Sequence, residues 1–334
     1  MAGIVFSKSS GLNDSIYGKS EAPIKAFLED RVRAWEEGSI VNKLFKMVDS
    51  DNFGEKFGSM TSLASGFQPV GEGGAYPNDE KQEGFSKFLE NITWKDQFAI
   101  TEEMIEDNKI LDINRTGARA FIDQFYLTRE KYAAQLLIGA IGGKSTEFRG
   151  LKMDCTSNDG EALFSTAHPS KINPELKQSN KFAAELTAEN LGKIETAMQN
   201  FKDDNDEVLV VAPDTIVIAN DAELKNKVFT AIGSDKQPET SNNGFNYQYG
   251  RWTVIVNPYL NGMLGEDKPY FLYDSKYNDA YNGLIFMDRI PLTVKTWVDE
   301  NTDNNVWKGR ARFVCGANDW REIAVGGVTG GTAL

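Results

Sequence analysis

Few stretches of this chain combine residue types that could do chemistry. Gly142-Gly143-Lys144-Ser145 has the lysine and hydroxyl of a phosphate-cradling loop. Such a loop carries its first glycine five positions before its last, and Ile138 stands there, with Gly139 one residue out of place. A phosphate loop also follows a strand and opens a helix, whereas this tetrapeptide closes one. His168 is the single histidine, so a His-rich zinc site is excluded and any Ser-His-Asp arrangement would have to use it. Its place between Ala167 and Pro169 favours an extended turn and a structural role. Asp203-Asp204-Asn205-Asp206 could offer oxygens to calcium, but the closing glutamate of an EF-hand loop is missing, and a surface turn is the expectation. Glu102, Glu103, Glu106 and Asp107 read as the acidic start of a helix. Cys155 and Cys315 lie too far apart in sequence for a disulfide framework or a metal spacing. These residues assign no catalytic group, no metal and no cofactor.

The elements that would position them are clearer. From Ile113 to Ile141, Ala118, Phe121, Ile122, Phe125, Tyr132, Ala133, Leu136 and Ala140 fall on one helical face. This predicts one helix of roughly 40 Å at 1.5 Å per residue, closed by Gly142-Gly143. Leu127, Ala134, Ile138 and Ile141 lie on the opposite face, so the helix is expected to pack on both sides. Arg129 sits within the apolar stripe and must reach water or find a carboxylate.

Before it, Pro23, Ile24, Phe27, Leu28, Val32 and Trp35 predict a helix ending near Gly38, followed by a short one through Val41, Leu44 and Phe45. This arm has no core of its own and must dock elsewhere. Phe53 to Thr101 is glycine-rich, with a turn signal at Tyr76-Pro77-Asn78-Asp79 and an alternating return limb through Ile92, Trp94, Phe98 and Ile100. It reads as a long hairpin, which cannot be stable alone in water. Its apolar Phe85, Phe88 and Trp94 must be covered by something.

After the helix comes an α/β stretch, with helices capped by Thr187 and Asp221 and β-rich runs at Val208–Val211, Thr215–Ile218, Trp252–Val256, Tyr270–Tyr273 and Leu284–Met287. Leu292, Val294 and Val298 then alternate with Thr293, Lys295 and Trp297. After a turn at Asn301–Asn305, Trp307, Ala311, Phe313 and Cys315 alternate with Lys308, Arg310 and Arg312. That is a hairpin with one cationic face. The glycine-rich tail from Gly326 is expected to be loose.

With 334 residues, 40% hydrophobic and 25% charged, the chain is globular and large enough for two lobes. Its net charge of -13 argues against tight nucleic-acid binding, which needs cations to displace counterions from phosphate. No secretory signal opens the chain and no apolar run reaches membrane-spanning length, so a soluble protein made in a reducing cytoplasm is expected. What remains is surplus apolar surface on an arm, a hairpin and a two-sided helix, which implies partner subunits.

The block Leu163-Phe164-Ser165-Thr166-Ala167-His168-Pro169 resembles a segment of the major head subunit of Mu-like tailed phages, with Ala167 where that family more often has an acid. Phe313 to Arg321, with Gly316 and Asp319-Trp320-Arg321, is similar to its C-terminal part, and Pro213 to Ile218 to its central strand. The resemblance implies an α+β, Hong Kong 97-type shell fold. Residues 1–50 would be the N-terminal arm and 51–101 the extended hairpin loop. Residues 102–185 with 288–334 would form the peripheral domain, with spine helix 113–141, and 186–287 the axial domain.

It implies, further, a major capsid protein that assembles through hexamers and pentamers into an icosahedral head around double-stranded DNA. Such a protein belongs to the virion and is assembled in the host bacterial cytoplasm. It needs no cofactor, has no membrane partner and does not bind DNA by sequence; a separate scaffolding or protease protein and a portal take part in assembly. On this reading Phe85, Phe88, Trp94 and Phe98 bury area on a neighbour, and Glu80, Glu83 and Glu90 meet its Lys308, Arg310 and Arg312. The competing readings are an encapsulin-like compartment shell and a soluble enzyme with an unrecognised site.

Overall fold

The apolar periods of the chain end in two sheets and one long helix. The computed structural model describes residues 5–6, 21–59, 67–76, 78, 84–101, 103, 110–173, 175–236 and 244–334. In the first sheet β1 (Val5–Phe6) pairs with β13 (Leu284–Val298), β13 with β14 (Asn305–Ala317), and β14 with β5 (Ile92–Ile100). Strand β2 (Lys46–Asp49) also lies parallel to β13. The long helix, Ile110–Gly142, packs across one face of this sheet. The second sheet has the order β11 (Thr253–Asn257), β10 (Thr215–Ala219), β12 (Tyr270–Tyr273), β15 (Ile323–Gly326). Helices Ala188–Gln199 and Ala222–Ile232 belong to this second lobe, each capped as expected, by Thr187 on the Asn190 N–H and by Asp221 on the Leu224 N–H.

The helix packs on both sides. Tyr132, Leu136 and Ala140 are buried, and so are Ala134 and Leu137. Arg129 found its carboxylate: its guanidinium holds Asp288 through two bonds of 2.7 and 2.8 Å, with both groups buried. It also lies 4.4 Å from the Phe286 ring centre, so the charge is covered by aromatic faces as well as paired.

The arm docks on this helix. In α1 (Glu21–Gly38), Trp35 stacks on Tyr126 at 5.9 Å and donates to Asp123, which also accepts from Arg31. The short α2 (Val41–Leu44) follows as expected, with Ser39 and the Ile40 N–H bound to the Glu130 carboxylate.

The structure departs from these expectations in several places. Leu284–Met287 is not a separate strand of the second lobe but the start of the fifteen-residue β13, because its pairing with β14, from Ala317 to Val314, is carried on past register shifts between Asp288 and Thr293 to Asn305. The C-terminal stretch is not confined to the first lobe: β15 crosses over to pair with β12. The glycine-rich tail is not loose either. Val328 is buried, and Val328 and Thr332 bond through their N–H groups to Phe182 and Lys181, because main-chain pairing replaces the anchoring side chains that glycines lack. The turn at Asp203–Asp206 forms with Asp206 exposed, but Asp203 and Asp204 are buried in it.

Candidate functional site

The face of the first sheet that looks away from the long helix divides into two halves. Along β14 the odd positions Trp307, Gly309, Ala311, Phe313, Cys315 and Ala317 face the helix; the even ones, from Val306 to Gly316, face outward. Gly309 is open because Phe121 of the helix occupies the place of its side chain: a Cβ there would come within 2.5 Å of the Phe121 ring. Gly316 plays the same part on the outer face, where a Cβ would meet Leu89 at 2.5 Å.

Leu89 belongs to the hairpin root. Strands β3 (Gly54–Gly58) and β4 (Ser86–Glu90) pair antiparallel and lie over Ile285, Met287 and Val314, with Leu89 buried among them and Phe57 alongside. Polar ties fasten the root to the same chain. Lys87, buried, pairs with Asp154 at 3.1 Å and donates to the carbonyl and hydroxyl oxygens of Thr156. Burial pushes the Lys87 ammonium below its ordinary range, against the pull of Asp154. Lys171 donates to the Gly84 carbonyl at 2.7 Å and Asn318 to that of Gly58 at 3.3 Å. So one half of the outer face is apolar and covered by the chain's own hairpin.

The other half is cationic, and nothing among the described residues covers it. Register sets Lys95 opposite Arg310 and Lys295 opposite Lys308, with Arg312 opposite Thr93. Lys95, Lys295, Lys308 and Arg310 are exposed, and among the described residues none of them forms an ion pair. Lys308 lies 4.1 Å from the centre of the exposed Trp297 ring. Arg312 is partly turned inward, donating to the Asn91 carbonyl at 3.4 Å.

The residues expected to touch a neighbour are spread over this arrangement. Phe88 is exposed on the hairpin, and Phe85 is half-buried beside Lys171. Trp94 and Phe98 are instead engaged within the chain. Trp94 stacks on Phe313 at 5.1 Å and donates to its carbonyl; Phe98 stacks on Trp307 and meets Phe121. The alternation placed both correctly on an apolar face, but that face belongs to the spine helix, so as contacts with a neighbour they are corrected. Glu90 is exposed at the hairpin root, while Glu80 and Glu83 lie outside the described residues. The exposed Phe67 and Tyr76 lie in the intervening loop. Nothing in the alternating pattern pointed to them, since they stand alone among glycines and polar residues.

Beneath these surfaces the two longest resemblance blocks meet. His168 stacks on Trp320 at 4.2 Å, and Arg321 lies 4.7 Å from the centre of the Trp320 ring. His168 Nδ1 is 2.6 Å from Asp159, and its Nε2 faces the Asn180 Oδ1 at 3.2 Å. Asn180 donates to the carbonyls of Leu163, Trp320 and Ile323, which fixes its amide. Burial works against the charged form of Asp159, but the bond to His168 and those from Ser157 and Glu161 outweigh it and hold its carboxyl below the usual range. Arg321 pairs with Asp319 at 3.1 Å and Asp204 at 3.8 Å. Both ring nitrogens of His168 are committed and the ring is buried, so it joins segments and has no face for a substrate. Lys144 of the glycine-lysine stretch pairs with Glu161, and Ser145 opens a strand.

A layered α+β subunit with a long helix across one sheet, a hairpin root fastened over the other face of that sheet, and a second, four-stranded lobe has the Hong Kong 97-type fold. The sequence profile of the phage capsid protein family matches residues 91–326, and the chain belongs to that family. It is therefore a structural protein and not an enzyme. Among solved structures it is similar to the capsid of a native GTA particle (TM-score 0.52, 11% identity, covering 86% of this chain and 88% of that one). It is also similar to that of Microbacterium phage Oxtober96 (TM-score 0.51, 12% identity, 87% and 90%). No curated protein matches the sequence.

Proposed function

We propose that this chain is the major capsid protein of a Mu-like tailed phage. It assembles through hexamers and pentamers into an icosahedral head around double-stranded DNA, with a scaffolding or protease protein and a portal taking part. Residues 1–50 serve as arm and 51–101 as extended hairpin; the spine-helix lobe is peripheral and the four-stranded lobe axial. The observation that carries the reading is the hairpin. Its root is fastened to its own subunit, while Phe67, Tyr76 and Phe88 stay exposed, which a repeated neighbour would cover.

In this arrangement the hairpin acids Glu80, Glu83 and Glu90 approach Arg310 and Arg312 of an adjacent copy. Exposed pairs contribute only about 0–1 kcal/mol each, so they set register more than strength. Electron microscopy of the purified protein tests the function. Closed shells or capsomers are expected; small self-contained particles at high concentration would end the proposal, and shells filled with protein cargo instead of DNA would move it to a compartment. Reversing Arg310 and Arg312 together to glutamate is expected to impair assembly, and normal particles from that variant would remove the hairpin contact.

A further inference from the structure

The cationic half of the outer sheet face forms a hollow of about 580 Å³, lined by Lys95, Asp96, Gln97, Lys295, Lys308 and Arg310 among others. Two of its cross-strand pairs, Lys95 with Arg310 and Lys295 with Lys308, set like charges directly opposite each other. Such pairs destabilise an isolated sheet. In a chain of net charge -13, four cations gathered in one hollow without a carboxylate bound to any of them, among the described residues, make a receptor for an anionic group.

A fitting group stands at the end of the same two strands. The turn that joins β13 to β14 reads Asp299-Glu300-Asn301-Thr302-Asp303. Its shape is fixed from inside: the Asp299 carboxylate accepts from the Asn301 N–H at 3.1 Å and from the Thr302 hydroxyl at 3.1 Å, and the Asp303 N–H donates to the Asp299 carbonyl at 2.8 Å. Glu300 and Asp303 are exposed. Beside them, Trp297 and Val298 are 40% and 53% exposed, so apolar area adjoins the acids. The turn stands past the end of the strands that line the hollow: Val298, the last residue of β13, lies three residues, about 10 Å at 3.3 Å per residue, beyond Lys295.

We propose that this acidic turn seats in the cationic hollow of a second copy of the chain, with Glu300 and Asp303 facing Lys295, Lys308 and Lys95. The inference rests on the shell reading above. It adds a contact between peripheral lobes beside that of the hairpin and engages the tip-side row of cations.

The test reverses each side and then both, reading the protein concentration at which half of the full-length chain assembles by sedimentation and microscopy. Glu300→Lys with Asp303→Lys is expected to raise that concentration about tenfold, a few exposed charge pairs repeated at each contact. Lys295→Glu with Lys308→Glu is expected to do the same, and the four changes together to restore assembly toward the wild-type level. Wild-type assembly by the turn variant, or a fourfold variant no better than the worse double, overturns the contact while leaving the shell reading in place. Rescue of Lys295→Glu/Lys308→Glu by Glu83→Lys hands the hollow to the hairpin. Retention of a short DNA duplex by the wild type and its loss in the hollow variant, with the turn variant assembling normally, hands it to phosphate. If the wild type forms no assemblies at any concentration, the shell reading falls and this contact with it.

Discussion

The two halves of one sheet face make the sharpest contrast in this molecule. Both lie on the outward side of the same strands. Near Met287 and Val314 the chain lays its own hairpin root over apolar side chains and leaves a glycine to admit Leu89. Near Lys295 and Lys308 it gathers like charges and covers them with nothing from the described residues. Burying apolar area stabilises a subunit by itself, whereas aligned cations weaken it until a counter-charge arrives. The first half serves the subunit's own fold; the second makes sense only in company.

The contrast predicts that substitutions in the two halves have opposite signs. The largest effect belongs to Leu89→Ala in the covered half. It removes a buried side chain facing Ile285, Met287 and Val314, and is expected to cost about 2–5 kcal/mol of subunit stability in denaturant unfolding. A loss below about 0.5 kcal/mol, typical of a surface site, would mean that the hairpin root does not lie on the body in solution.

A middle effect comes from the core, where Glu322 has both carboxyl oxygens buried without a hydrogen bond among the described residues. Burial raises its carboxyl well above the ordinary value, so the folded state keeps a proton that the unfolded state loses above about pH 4.5. Stability from this group is complete at acid pH and declines as pH rises toward the folded value. Glu322→Gln is expected to flatten that decline, seen as a smaller difference in unfolding midpoint between pH 5 and pH 8; an unchanged slope would show that Glu322 does not titrate with folding. The smallest effect belongs to the cationic half. Lys308→Gln removes one like-charge pair and is expected to raise the stability of the unassembled subunit by about 0.2–1 kcal/mol while weakening association. A destabilised subunit would mean that Lys308 serves its own fold.

Much of this was legible in the chain. The spine helix, its two-sided packing, the Arg129 need for a carboxylate, the helix stop at Gly142 and the cationic alternation of β14 all follow from local periods, which are set by backbone geometry within a few residues. The alternation of Ile92, Trp94 and Phe98 likewise gave a strand with an apolar face. What covers that face was misread: Trp94 and Phe98 meet the spine helix of their own chain, over residues far away in sequence. The hub was seen only as fragments. His168, Asp204 and Trp320 are single polar or aromatic residues in unrelated stretches, and no period links them.

By itself, the order of residues determined where the long helix and most other elements fall, which face of each is apolar, and where the cations line up, because each of these depends on neighbours one to four positions away; the β-rich run Val208–Val211 forms no strand, with Val210 exposed at a positive φ. Only the tertiary structure decided that Leu284–Met287 joins the long strand, that the glycine-rich tail is pinned, and that the hairpin root covers one half of a sheet face and not the other. Those outcomes depend on pairings between segments distant in sequence, where burial and main-chain hydrogen bonds select one partner among several of similar local pattern.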